Sequence, residues 1–268
     1  MLTQVQDFAT ECDVLAELLA RLTPDDWNRP TAFKGWTPND IVVHLHFWNM
    51  AVDLTQRDGE AFQRMREELR AETGPAGLRE PEQRRVRERG TALLTVWQAL
   101  YRDIAARWAT MDAGQRVKWG GPDMSLRSAI TARQMETWAH GQAIFDLMGE
   151  TRRETDRIRN IVVLGVNTFG WSFRVRGEEP PDEPPRLDLR APSGAIWTYH
   201  PASQGAFLRG SAVEFCQVVA QTRNVADTAL EYGGDAAVRW MAHPQCFAGP
   251  PNPPPAPGTR GPGVRPPA

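Results

Sequence analysis

Apolar residues recur every three or four positions through most of the first half of the chain, a spacing that predicts amphipathic helices. The first predicted helix runs from Thr3 to Leu22, and the second runs from Pro38 to about Gln56 with Thr37 as its N-cap. A shorter exposed helix is expected between residues 57 and 80. A long core helix is expected from Glu82 to Thr110, with Val86 among its inward residues and a solvated face in its charged first half, EQRRVRERG. Long helices with short polar joins predict a helical bundle.

The last helix of this half is predicted from about Leu126 to Met148, capped by Ser125 and stopped by Gly149. Its inward stripe contains Glu136 and His140, which lie one helical turn apart and point the same way. A carboxylate on a buried stripe needs a partner, because an unpaired buried charge costs several kcal/mol. A metal ion would satisfy both side chains at once.

The second helix supplies a third candidate ligand, because His44 in IVVHLHFW lies on its inward face. Two imidazoles and one carboxylate form a ligand set that suits a catalytic Zn²⁺. Other interpretations stay open, since a histidine in an apolar helix is more often a satisfied core residue and a Glu/His pair at this spacing is more often a surface or capping pair. His46 with Asp53, on another side of the same helix, is a rival ligand set.

The second half of the chain has a different pattern. One more helix is predicted from Glu154 to about Phe173, followed by a hairpin in RLDLRAPSGAIWTYHP, a strand around Ala206 to Arg209, and a helix, strand and helix up to His243. This order predicts a small α+β domain. The predicted organisation is therefore a helical bundle over residues 1–150, an α+β domain over 151–248 and a disordered tail rich in proline and glycine over 249–268.

Composition narrows the classes of function. The 31 basic and 33 acidic residues give a net charge of −2, which provides no basic field for a nucleic-acid backbone. No apolar run reaches the roughly 18 residues that a membrane-spanning helix needs, and the first residues do not resemble a signal peptide. We therefore expect a cytoplasmic protein that binds neither nucleic acid nor membranes. Cys12, Cys216 and Cys246 form no CxxC pair, and Cys216 in AVEFCQVVA is interpreted as a packing residue.

Two motifs around the candidate ligands resemble a known family. GWTPNDIVVHL resembles the "GWT…D…aHL" signature of the mycothiol-dependent maleylpyruvate isomerase family, a branch of the DinB-like metal-binding four-helix bundles, and METWAHGQ resembles its E-x3-H ligand helix. The second half, from RNIVVLGV to CFAGPP, is similar to the family's sterol-carrier-like C-terminal domain. The likeness is greatest to an actinobacterial subgroup of unassigned function. It implies a mainly α fold, with a DinB-like four-helix bundle followed by a small sterol-carrier-like α+β domain.

The resemblance also implies roles for particular residues. By position, the family's metal ligands fall on His44, Glu136 and His140, with Zn²⁺ as the favoured ion and an open position for water or a low-molecular-weight thiol. The family's arginine from the C-terminal domain falls best on Arg223, as a catalytic residue that would hold an anionic substrate; an exposed arginine after a helix is the alternative. Three aromatic side chains near the ligands are candidate walls of the pocket: Trp48, Trp138 and Phe47. Two polar side chains are candidate partners of the imidazoles: Asp40 and Gln142.

The function expected from this resemblance is metal-dependent isomerisation or thiol transfer on a small electrophilic substrate, with mycothiol as co-substrate and a monomer or homodimer as the active form. Two alternatives remain. One is a thiol-independent hydrolase, lyase or cyclase of secondary metabolism that uses metal-bound water. The other is a non-catalytic small-molecule-binding protein with a structural metal.

Overall fold

The computed structural model describes residues 2–74, 77–119 and 123–264. These residues form two compact units, one drawn from the chain up to Ile144 and the other comprising Phe145–Val264. The division falls inside a helix, a few residues before the boundary predicted from the sequence.

The first unit is helical. Its elements in chain order are α1 (Gln4–Leu19), a single 3₁₀ turn (Asp26–Asn28), α2 (Pro38–Arg57), α3 (Gly59–Glu72), α4 (Arg79–Arg85), α5 (Gly90–Trp108), a short antiparallel pair β1 (Arg116–Val117) and β2 (Met124–Ser125), and α6 (Leu126–Met148). The four long helices α1, α2, α5 and α6 form a bundle. Helix α5 packs against both α1 and α2. Helix α6 contacts α1 through Cys12 and Thr137 and contacts α2 through Asn49 and Arg133.

Helix α2 begins where the sequence predicts, because its first turn is a complete capping box. The Thr37 hydroxyl accepts a hydrogen bond from the Asp40 backbone N–H, and the Asp40 carboxylate accepts one from the Thr37 backbone N–H. Pro38 at N1 has no N–H to leave unsatisfied. This cap sets the position of every side chain further along α2, including His44.

The prediction of one long helix from Glu82 to Thr110 is wrong, because the structure has two helices in this region, α4 and α5. The chain leaves α4 after Arg85, and Gly90 starts α5 with a φ of 60°, in the left-handed region that favours glycine. The Asn39 side chain accepts a hydrogen bond from the Gly90 N–H, which ties the start of α5 to α2. The first half of the predicted helix was also expected to be solvated, but Glu82 is buried.

The second unit is the small α+β fold predicted from the sequence. Beyond the end of α6 it contains a 3₁₀ turn (Asp156–Ile158), α7 (Arg159–Asn167), α8 (Phe169–Arg174), β3 (Arg186–Arg190), β4 (Ile196–Tyr199), β5 (Phe207–Ser211), α9 (Ala212–Val219), a 3₁₀ turn (Val225–Asp227), β6 (Glu231–Gly233) and α10 (Asp235–Ala242). The sheet order is β4-β3-β5-β6, with β3 and β5 parallel and the outer pairs antiparallel. Leu187, Leu189 and Leu208 are fully buried in this unit, and α9 packs on β3 and β5.

The helix predicted from Glu154 to Phe173 is interrupted at Thr168, between α7 and α8. The Thr168 hydroxyl donates hydrogen bonds to the carbonyls of Leu164 and Gly165, which competes with the regular helical pattern. The single helix predicted from apolar spacing is therefore two short ones.

The proline-rich segment from residue 249 to 264 contains no helix or strand but makes specific contacts, in contrast to the predicted disorder. Asn252 exchanges two hydrogen bonds with Gln221, donating from its side-chain amide and accepting at its carbonyl. Asn224 donates to the carbonyl of Pro255, and the Gly258 N–H donates to Asp227. Polar side chains of the α+β unit thus satisfy backbone groups of a segment that cannot build its own secondary structure. Residues 265–268 lie outside the described residues.

Within the described ranges, no helix is long and apolar enough to cross a membrane. Cys12, Cys216 and Cys246 are buried and form no disulfide.

Candidate metal centre

The three predicted ligands lie together in the first unit. One ligand atom from each of His44, Glu136 and His140 lies within 4.8 Å of the other two. The Nε2 atom of His140 is 3.1 Å from Oε2 of Glu136, and the Nε2 atom of His44 is 3.9 Å from the same oxygen. Helix α2 supplies one imidazole and α6 supplies the other two groups, so a single ion would join two helices of the bundle.

The cluster is reachable from solvent. The exposed fractions of the side chains are 13% for His44, 13% for His140 and 24% for Glu136. Within the part of the chain that the structure describes, this group offers three protein ligands. Structural zinc sites are usually closed by four protein ligands, whereas catalytic sites use three and keep one position for water or substrate. The cluster therefore offers the number of protein ligands that catalytic zinc sites use.

The electrostatics of Glu136 and His140 favour the forms of these two side chains that bind cations. Burial raises the pKa of Glu136, but hydrogen bonds with His140 and His44 outweigh it and hold that pKa well below its ordinary value. Burial lowers the pKa of His140, with a further contribution from the charge of His44. Glu136 is thus a carboxylate and His140 a neutral imidazole near pH 7, the forms in which both can coordinate a metal.

His44 has a second carboxylate on its other ring nitrogen. The Nδ1 atom is 3.0 Å from both oxygens of Glu82 in α4, and the Trp48 indole N–H donates to Oε1 of Glu82 at 2.8 Å. Burial lowers the pKa of His44, but the charges and hydrogen bonds of Glu82 and Glu136 more than compensate and raise it to about 9 in the absence of a metal. Metal-bound imidazoles are commonly oriented by such a carboxylate.

The sequence interpretation missed Glu82, which it assigned to a solvated, charged face. The useful signal was its spacing from Val86, an apolar residue predicted to point inward and found buried in the structure. Because Glu82 precedes Val86 by four residues, the two would project from the same side of the predicted helix.

Aromatic rings from the loop before α2 cover the imidazoles. The Trp36 ring stacks on His140 with centroids 5.9 Å apart and an interplanar angle of 6°, and Phe33 meets the same imidazole edge-on at 5.0 Å. Among the predicted wall residues, Trp48 lies near His44 at 6.3 Å, whereas Phe47 and Trp138 are buried in the core. The sequence signal for this contact was the position of Trp36 directly before Thr37. Because Thr37 fixes the start of α2, the ring of the preceding residue is directed towards the ligands.

Arg133 adds a buried positive charge to this region. Its exposed fraction is 3%, and it donates to the Asn49 side-chain oxygen at 3.0 Å and to the Leu45 carbonyl at 3.3 Å. Burial lowers its pKa, and the charges of Glu136 and Glu82 act in the opposite direction. The guanidinium therefore offsets part of the negative charge of the two carboxylates.

Comparison with known proteins identifies the family of the chain and agrees with its fold. Residues 8–145 match the family model described as the mycothiol maleylpyruvate isomerase N-terminal domain. The chain belongs to this family. Two uncharacterized proteins of Mycobacterium tuberculosis, from strains CDC 1551 / Oshkosh and ATCC 25618 / H37Rv, are each 37% identical over 249 residues, covering 92% of this chain and 96% of theirs.

The crystal structure of the mycothiol-dependent maleylpyruvate isomerase has a similar fold, with a TM-score of 0.56 at 14% identity, covering 88% of this chain and 94% of that one. A histidine-to-alanine mutant of that enzyme matches equally well. This likeness supports the predicted bundle with its C-terminal domain, and the M. tuberculosis relatives agree with the predicted actinobacterial character.

The rival ligand set is not formed. Asp53 is engaged by the guanidinium groups of Arg57 and Arg107, and His46 belongs to no metal-binding group among the described residues. Asp40, predicted as a partner of an imidazole, instead binds Arg79 and Gln83 besides its own helix cap. Glu82, rather than Asp40, contacts an imidazole of the cluster.

Arg223, the family's candidate catalytic arginine, lies in the second unit and is buried, which excludes the exposed alternative. Its guanidinium forms a bidentate ion pair with the Asp146 carboxylate, with distances of 2.8 and 2.7 Å. Its role in substrate binding stays a prediction. His200 and His243 of the second unit are exposed.

Proposed function

We propose that the protein is a divalent-metal-dependent enzyme that uses a low-molecular-weight thiol, mycothiol, in isomerisation or S-transfer on a small electrophilic substrate. The observation that carries this proposal is the solvent-reachable cluster of His44, Glu136 and His140, whose ligand atoms lie within 4.8 Å of one another. Membership of the mycothiol maleylpyruvate isomerase family supports the choice of thiol.

The donor set fits a metal ion such as Zn²⁺. Both imidazoles present Nε2 to the same carboxylate oxygen, and the other nitrogen of His44 is already taken by Glu82. When bound, the ion would lower the pKa of a coordinated thiol and so supply a thiolate at neutral pH.

The charges around the cluster favour an anionic fourth ligand. With His44 neutral, as a metal ligand must be, the carboxylates of Glu82 and Glu136 and the guanidinium of Arg133 together carry one net negative charge. A divalent cation would reverse this to one net positive charge, which a thiolate would neutralise. Phe33 and Trp36 provide apolar surface beside the imidazoles, a suitable surrounding for a polarizable sulfur.

Arg223 is proposed to hold an anionic group of the substrate. A guanidinium is suited to bidentate recognition of a carboxylate, and Asp146 already binds it in this manner. A substrate carboxylate would have to compete with Asp146 for the same two donors.

The metal site is tested by metal analysis of the purified full-length protein and of three variants, His44→Ala, Glu136→Ala and His140→Ala. We expect about one equivalent of metal in the parent protein and its loss in each variant. His46→Ala is the matched control, because His46 lies on the same helix but outside the cluster. If all three ligand variants retain the full equivalent of metal, these residues do not form the metal site.

The use of a thiol is tested by calorimetry with mycothiol on the metal-loaded and metal-free protein. Heat of binding that requires the metal supports the proposal. Metal binding without any mycothiol heat counts against it and favours the thiol-independent reading. If removal of the metal unfolds the bundle but leaves small-molecule binding intact, the metal is structural.

A further inference from the structure

We infer that Glu82 is a positioning residue of the metal centre, which holds His44 in the tautomer and orientation that direct Nε2 towards Glu136 and His140. This inference rests on the proposed metal site. It also assigns a part of that centre to α4, a short helix that contributes no ligand.

The contact geometry defines the tautomer. A carboxylate only accepts hydrogen bonds, and both oxygens of Glu82 lie 3.0 Å from Nδ1 of His44. The proton of the neutral imidazole must therefore be on Nδ1, which leaves the lone pair of Nε2 free to bind a metal.

Glu82 is held in place by α2 itself. The Trp48 indole N–H donates to Oε1 of Glu82 at 2.8 Å, and Trp48 follows His44 by one helical turn. Two donors from one helix face thus hold one carboxylate, whose exposed fraction is 1%. A buried carboxylate with two such donors has a fixed orientation and can orient the imidazole in turn.

Glu82 does not belong to the ligand set. It contacts Nδ1 of His44, whereas Glu136 faces Nε2 of the same ring, so the imidazole lies between the two carboxylates. The metal-binding group found among the described residues accordingly contains Glu136 but not Glu82.

The rest of α4 is anchored by contacts that do not involve Glu82. Arg79 forms an ion pair with Asp40 of α2 at 2.7 Å, and Gln83 donates to the same carboxylate. Arg84 and Arg85 pair with Glu72 of α3 at 2.9 and 2.6 Å. Loss of the Glu82 carboxylate should therefore leave α4 in place, and Gln83→Ala provides a control that weakens the anchoring of α4 without touching His44.

The experiment measures Zn²⁺ affinity of the full-length protein by competition with a chromophoric chelator. We expect Glu82→Gln, which keeps the size of the side chain but removes its charge, to bind Zn²⁺ about 10–100-fold more weakly than the parent. Gln83→Ala should stay within about twofold, because a contact that does not reach His44 leaves the ligands oriented. With Co²⁺ in place of Zn²⁺, Glu82→Gln should also alter the visible absorption bands, which report ligand geometry.

A second measurement needs no variant. In the Zn²⁺-loaded parent protein with ¹⁵N-labelled histidine, NMR should show His44 protonated at Nδ1 and bound to the metal through Nε2. A metal bound through Nδ1, or unchanged Zn²⁺ affinity and Co²⁺ spectrum in Glu82→Gln, would overturn the inference. If the parent protein binds no metal, both this inference and the proposed function are wrong. If the parent protein binds Zn²⁺ and Glu82→Gln binds it equally well, only the role of Glu82 is wrong.

Discussion

Four ionisable side chains follow one another through the interior of the bundle: Glu82, His44, Glu136 and His140. Each contacts the next through a hydrogen bond or ion pair, and carboxylates alternate with imidazoles. Alternation places unlike groups beside each other, which offsets the cost of burying them. It also means that removal of any one member leaves its neighbours inadequately compensated, so variants in this series will not have additive effects.

A buried ion pair in the α+β unit gives the first prediction. Arg223→Ala should lower the free energy of unfolding by about 3–5 kcal/mol, because it leaves the buried Asp146 carboxylate without its bidentate partner. Urea unfolding of the full chain measures the loss. Arg209→Ala is the matched control, since it breaks an exposed pair with Glu231 and should cost less than about 1 kcal/mol.

The comparison separates a structural role of Arg223 from a catalytic one. If Arg223→Ala costs no more stability than Arg209→Ala but lowers kcat/KM, the guanidinium acts on the substrate alone. If stability falls and Asp146→Asn has a similar effect, the ion pair is part of the fold.

At the scale of single elements, the break between α4 and α5 gives the second prediction. Gly90 has a φ of 60° and no heavy atom lies within 4 Å of a Cβ built there, so a larger residue would meet backbone strain but no clash. Gly90→Ala should therefore cost about 1–2 kcal/mol. Gly90→Asn should cost less, because asparagine tolerates the left-handed conformation better than alanine.

Thermal unfolding of both variants measures this difference. Gly114→Ala is a suitable control, because Gly114 does not have a positive φ and a Cβ there meets only ordinary contacts at 3.6 Å. Equal losses at Gly90 for alanine and asparagine would contradict the conformational explanation.

Elements with strong end signals could be predicted from the sequence. Helix α2 starts at Pro38 and α6 spans Leu126–Met148 as predicted, because Thr37 and Gly149 mark where a helix starts or must stop. The same periodicity that defined these helices placed His44, Glu136 and His140 on inward faces. The predicted ligand cluster follows from local pattern and two well-marked helices.

The break before α5 could not be predicted from spacing. Val86 and Leu93 are both buried and lie two helical turns apart, so the apolar pattern continues in phase across a segment that is not helical. Because this break was not predicted, the contact of Glu82 with His44 was not predicted either. The pair of Arg223 with Asp146 joins residues distant in sequence, and such contacts carry no local signal.

At the scale of the whole molecule, similarity to other proteins extends beyond the bundle. The family model covers residues 8–145, whereas the M. tuberculosis relatives align over 92% of the chain, which includes most of the α+β unit. The three proposed ligands and Glu82 all lie in the first unit. The bundle therefore supplies all of the proposed metal site, and the contribution proposed for the second unit rests on Arg223.

The last prediction concerns the effect of the metal on global stability. An ion held by His44 of α2 and by Glu136 and His140 of α6 binds only when the bundle is folded, so metal binding must stabilise the fold. At a free metal concentration of 100 times Kd, the gain is about 2.7 kcal/mol. We expect a chelator to lower the Tm of the metal-loaded protein and of His46→Ala, and to leave His44→Ala almost unchanged. A chelator-sensitive Tm in His44→Ala would mean that the stabilising ion binds elsewhere in the chain.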